Sequence, residues 1–204
     1  MSSYIAIISM GIPSLGLSQN VVISPLKMNT LYIGIYNPIS FAINGKQCSN
    51  YSLTTKNGVI RQIEKCIYEV NPTTPGQSSI YVVDKKGILI DSVQFRVKTI
   101  PDPRPEFYPS KGNDIRFERT EGVVAVLNYF DFDARFEILE YEFSAERAGT
   151  LLNTIRNVGS AYSEEVKRVI DKMKVGDIVR IENIKARGPD GRTRQLESIK
   201  LTVR

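Results

Sequence analysis

The first hundred residues are broken at short intervals by turn-forming residues, and no helical period fits between the breaks. Ile39, Phe41 and Ile43 alternate and stop at Asn44-Gly45; Lys56-Asn57-Gly58 joins the next two runs. Cys66 to Val70 ends at Asn71-Pro72, and Ile80 to Val83 turns over Asp84 to Gly87. Val93, Phe95 and Val97 then alternate with Gln94, Arg96 and Lys98. A period of two gives each short run one apolar face, and two such sheets bury those faces by stacking. The expected fold is an all-β, immunoglobulin-like sandwich, and Pro75-Gly76 ahead of Ser78-Ser79-Ile80-Tyr81-Val82 fits that pattern. Pro25 and Pro38 donate nothing to a ladder, so they are expected to bracket a first strand through Leu31, Ile33 and Ile35.

The second half reads as β with one helix. Ser163 can cap Glu164-Glu165-Val166, while Val166, Val169, Ile170 and Met173 fall at i, i+3, i+4 and i+7. Lys172 and Lys174 suit the helix C-terminus, and Gly176 stops it. The single apolar stripe predicts packing on a sheet. That sheet is expected from residues 123–127, 136–143, 178–184 and 199–203. Pro101, Pro103 and Pro105 mark the division between halves. Residues 1–100 hold 9 Lys+Arg against 4 Asp+Glu, whereas residues 101–204 hold 18 of each, so the excess positive charge lies in the first half. The expected organisation is a leading segment 1–19, a β domain 20–100, a Pro-rich linker 101–105 and a β domain with one helix 106–204.

With no histidine in 204 residues, the usual general base, zinc ligand and triad member is missing. No glycine-rich phosphate loop of standard spacing occurs, so no enzyme and no cofactor is expected. The first-half lysines are scattered, Lys85-Lys86 falls in a turn, and no aromatic-basic platform accompanies them, so nucleic acid is not expected as a partner. Cys48 and Cys66, the two cysteines, lack both redox and zinc spacing. In an exported chain they form either a disulfide between neighbouring strands or two unpaired, half-buried thiols.

Tyr4 to Leu17 is apolar but interrupted by Gly11, Pro13 and Gly16, too short and broken for a membrane span. It reads either as a degenerate signal peptide without a basic start or as an ordinary leading strand. Asp131 and Asp133 would share a strand face beside Arg135, and two carboxylates suit an ion pair or turn network better than calcium. Tyr129, Phe130, Phe132 and Phe136 are expected in a sandwich core. Arg187, Arg192 and Arg194 surround the turn Gly188-Pro189-Asp190-Gly191, and arginine forks on a hairpin tip are the candidate contact for a carboxylate-bearing partner.

Four ordered segments carry a family resemblance. They are Ser24 to Gly34 closed by Asn37-Pro38; Val97-Lys98-Thr99-Ile100-Pro101-Asp102-Pro103; Asn128 to Phe136; and Val175 to Gly191 followed by Ile199-Lys200-Leu201. Together they resemble the C-terminal periplasmic domains of the gliding-motility GldM/PorM family, the shaft of the type IX secretion system. The resemblance implies two tandem β domains at the distal end of that shaft, periplasmic, homodimeric and touching outer-membrane-associated ring or lipoprotein components. Full-length members begin with a transmembrane helix and a helical segment not matched here, so the chain reads as a C-terminal fragment or a short stand-alone relative. A secreted immunoglobulin-like binding or adhesion module is the alternative.

Overall fold

A computed structural model describes residues 21–25, 30–108 and 120–204. The apolar stretch Tyr4 to Leu17 lies outside them. In chain order the strands of the first unit are β1 (Val21–Pro25), β2 (Thr30–Tyr32), β3 (Asn37–Ile43), β4 (Tyr51–Thr55), β5 (Val59–Glu64), β6 (Ile67–Asn71), β7 (Gly76–Asp84) and β8 (Leu89–Lys98). They form two four-stranded sheets, β1-β3-β6-β5 and β2-β8-β7-β4. Ile39, Phe41, Tyr68 and Val70 of one sheet meet Leu53, Ile80, Val82, Phe95 and Val97 of the other in a common buried cluster, the sandwich that the alternation predicts.

The bracketed first strand is divided. β2 pairs parallel with β8, and the chain then turns through Ile33 and Gly34, where φ is 83°, before β3 begins in the opposite sheet. Pro25 ends edge strand β1, opposite Ile39. Pro38 lies inside β3, one residue past that last β1 pair, where the missing donor is tolerated. The turn at Lys56-Asn57-Gly58 joins β4 and β5, but these strands belong to different sheets.

The second unit contains β9 (Arg104–Tyr108), β10 (Gly122–Val126), β11 (Glu137–Arg147), β12 (Thr150–Val158), β13 (Ile178–Arg187), β14 (Thr193–Gln195), β15 (Ile199–Thr202) and helix α1 (Glu164–Ile170). β9 and β10 form a ribbon, while β12-β11-β13-β14 form a sheet with β15 also paired to β13. Phe143, Ile181, Ile184, Val123 and Val166 meet in the core. The helix begins as the sequence predicts: the Ser163 hydroxyl accepts from the Val166 N–H, Val166 is buried, and Val169, Ile170 and Met173 pack partly against the sheet. Buried Asn157 fixes its entry, since its Oδ1 accepts the Ser163 N–H at 2.8 Å and its Nδ2 donates to the Ala161 carbonyl at 2.8 Å.

The proline segment is less of a linker than its composition implies. Arg104 and Pro105 already belong to β9, with Pro105 buried opposite Ala125. Among the described strands β9 pairs with β10 alone, so its other edge does not need the donor that proline lacks. Residues 127–136 form a loop, so Asp131 and Asp133 do not share a strand face. Tyr129 has φ of 59°, which breaks extension there.

Candidate functional site at the junction of the two units

Asn37, almost fully buried, builds the receiving side of the junction. Its Nδ2 donates to the carbonyls of Tyr32 (2.8 Å), Ile35 (3.1 Å) and Val70 (3.0 Å), and its Oδ1 accepts the Tyr32 N–H at 2.8 Å. Every polar atom of the amide is thus used to hold the Gly34 turn against β6. A Cβ on Gly34 would overlap the backbone of Asp190 and come within 2.8 Å of its Cβ. Only glycine permits both the positive φ and this approach.

The inserting side is the hairpin tip between β13 and β14. Its turn closes with Gly188 N–H to the Arg192 carbonyl and Gly191 N–H to the Gly188 carbonyl, both 3.0 Å. Arg194 reaches back under the tip and donates to Asp190 through two nitrogens, at 2.9 and 2.7 Å. Its Nε donates to Asp102 at 2.7 Å and its Nη2 to the Ile100 carbonyl at 3.3 Å, while the guanidinium lies 5.1 Å from the Phe136 ring centroid. The Arg194 side chain is 9% exposed and that of Asp190 0%. This bidentate charge pair, led by the Arg194 hydrogen bonds, holds the Asp190 carboxyl below the usual aspartate range. One arginine therefore ties the hairpin tip to the segment that connects the units.

An aromatic contact lies alongside. Tyr32 of β2 stacks edge-on with Phe130 and Phe132, at 4.9 and 5.4 Å between centroids. The expectation of a sandwich core for these rings is corrected: Phe130 and Phe132 pack across the junction, and Tyr129 is 105% exposed. A cleft of about 530 Å³ opens beside them, lined by Gly34, Tyr36 and Glu69 from the first unit and Phe132, Asp133, Arg135 and Pro189 from the second. Arg61 lies 4.1 Å from the Tyr36 ring centroid and pairs with Glu69 at 2.7 Å.

The three candidate arginines separate. Arg192 is exposed, and Arg187 is half exposed and 3.9 Å from Glu137, but Arg194 is turned inward and fully engaged within the chain. Asp133 and Arg135 form an exposed pair at 3.5 Å. Cys48 and Cys66 form a disulfide with Cα atoms 5.8 Å apart. Sequence reasoning missed Gly34, Asn37 and Asp102 as junction residues. Asn37-Pro38 after a glycine was the visible signal, and nothing local pointed to Asp102. Among the described residues, no group of three or more His, Cys, Asp or Glu is placed to hold a metal ion, and no helix is long and apolar enough to cross a membrane.

Residues 20–98 match the model of the GldM third domain, and residues 101–204 match that of the GldM C-terminal domain. The chain belongs to the GldM family. It is, in general terms, a component of gliding-motility and type IX secretion machinery. No curated protein matches the sequence. Among solved structures, the GldM-family chain is similar to fibronectin(III)-like modules of Clostridium thermocellum CbhA, at 19% identity over 91% of this chain and 94% of that one, with a TM-score of 0.28. It is also similar to SGBP-B of the Bacteroides ovatus mixed-linkage glucan utilization locus, at 10% identity over 74% of this chain and 47% of that one, with a TM-score of 0.32. The two family spans meet at residues 99–100, beside the connection that Arg194 holds.

Proposed function

We propose that this chain is a non-enzymatic, periplasmic shaft segment, whose two β units act as one stiff body between an inner-membrane motor and outer-membrane ring components. The observation that carries the reading is the junction: Arg194, paired with buried Asp190, ties the hairpin tip to Asp102 and the Ile100 carbonyl of the connection, while an aromatic contact and a glycine-mediated backbone approach join the tip and loop of the second unit to the first. Torque or thrust passes through a joint only when the joint resists bending. The proline-rich connection adds stiffness by fixing φ at Pro101, Pro103 and Pro105. A disulfide fits an oxidising compartment.

Partner contact falls to Arg187 and Arg192, exposed on the hairpin while Arg194 holds its base. Self-association has a natural surface in β12, an edge strand of nine residues with Leu151, Leu152 and Val158 exposed. Light scattering, followed by retention of purified outer-membrane ring components on the immobilised chain, tests the reading. A dimer that retains them, and loses them in Arg187→Glu/Arg192→Glu, supports it. A strict monomer that ignores them and binds a glycan overturns it in favour of a secreted binding module.

A further inference from the structure

The first unit carries positive charge that its own fold does not neutralise, and the structure gathers part of it on one surface. On the outer face of the β2-β8-β7-β4 sheet, Gln77 lies opposite Arg96, Ser79 opposite Gln94, and Tyr81 opposite Ser92. Lys98 follows at the end of β8, and the Lys56 ammonium sits 5.8 Å from the Tyr81 ring centroid. Lys56, Arg96 and Lys98 are exposed and form no ion pair within the described residues. By contrast, residues 101–204 carry 18 Lys+Arg and 18 Asp+Glu, several of them paired, as in Arg147–Asp177, Lys185–Glu140 and Arg180–Glu146.

The unit's four acids all lie elsewhere. Glu69 pairs with Arg61 on the opposite sheet, and Glu64 ends β5 in that sheet. Asp84 is folded into the β7–β8 turn, accepting the N–H groups of Lys86 and Ile88. Asp91 is opposite buried Val82, on the inner side of β8. The first unit thus places none of its acids on this face, which is cationic and lined mainly by hydroxyl and amide groups, with Val83 and the tyrosines Tyr81 and Tyr32 among them.

We propose that this face is a second docking surface, for a carboxylate-bearing protein surface, separate from the hairpin contact and independent of it. Charge complementarity supplies the attraction, and the glutamine and serine side chains can hydrogen-bond to carboxylate and backbone groups. Three cations spread over a sheet face fall short of the roughly 4–8 clustered basic residues that engage anionic membranes. Tyr81 is half-buried beneath a lysine, and Tyr32, in register with Lys98 on the same face, is covered by Phe130 and Phe132, so neither ring offers a stacking platform for bases.

Labelled poly-L-glutamate, titrated against the full chain at low ionic strength and followed by anisotropy, tests the proposal, with heparin and phosphatidylserine vesicles as competing probes. Binding to polyglutamate should weaken by about tenfold or more in Lys56→Glu/Arg96→Glu/Lys98→Glu, and by less in the corresponding Gln variant. The control Lys65→Glu/Lys85→Glu/Lys86→Glu makes the same change in net charge away from the face and should weaken binding by less than about threefold. All six side chains are exposed, and circular dichroism checks that each variant folds. Equal losses in both triple variants, no binding to polyglutamate, or tighter binding to heparin or vesicles would overturn the proposal.

Discussion

Gly34 and Asp190, 156 positions apart in sequence, are in backbone contact, and a single added methyl at Gly34 would drive the C-terminal hairpin tip off the first unit. Gly34→Ala should therefore cost more than its φ of 83° alone, which accounts for about 1–2 kcal/mol. Gly45→Ala is the matched control, with φ of 69° but open space around it. Thermal unfolding should show the larger loss at Gly34. Equal losses would mean that the contact contributes nothing.

Arg194→Ala leaves the Asp190 carboxylate buried without its partner, and breaking such a pair costs on the order of 3 kcal/mol. Arg192→Ala, on the same hairpin but exposed, should change stability by less than about 0.5 kcal/mol. Urea unfolding of the two variants distinguishes these roles.

Acid should destabilise the second unit through particular carboxylates. Hydrogen bonds from Arg147, then from the Lys174 N–H, lower Asp177 to about 2. Lys185 and then Arg156 lower Glu140 to about 2. Because these values lie below those of the unfolded chain, the stabilisation is complete above about pH 5 and drains away as pH falls toward 2. Asp177→Asn should lower the melting temperature at pH 7 and flatten its decline between pH 5 and 2. A variant with the wild-type slope would contradict the assignment.

The Cys48–Cys66 bridge closes a short loop, with a sequence separation of 18, in the first unit. Cys48→Ser/Cys66→Ser should lose about 3 kcal/mol in denaturant unfolding. The loss should be confined to the first unit, as hydrogen exchange of β4 and β6 against β13 would show.

Much of the fold could be read from local pattern, because the residues that define each element lie next to one another. Ser163 with Val166, Val169 and Ile170 specifies α1, and the alternation of Ile80, Val82, Phe95 and Val97 specifies a buried sheet face. β12 escaped notice because Thr150 through Thr154 are all exposed, leaving only Ile155 and Asn157 to signal burial. Phe130 and Phe132 were readable as covered residues, but a period of two says nothing about which unit covers them. The exposure of Arg187 and Arg192 followed from the turn between them. The inward path of Arg194 depends on Asp102, 92 residues away, which no local signal links to it.

The two units should move as one body. Residual dipolar couplings of backbone amides, fitted separately for residues 30–98 and 120–204, test it most directly. Both units should share a common alignment tensor in the native chain and show divergent tensors in Arg194→Ala. Different tensors in the native chain would show a hinge at residues 99–103 and contradict the shaft reading.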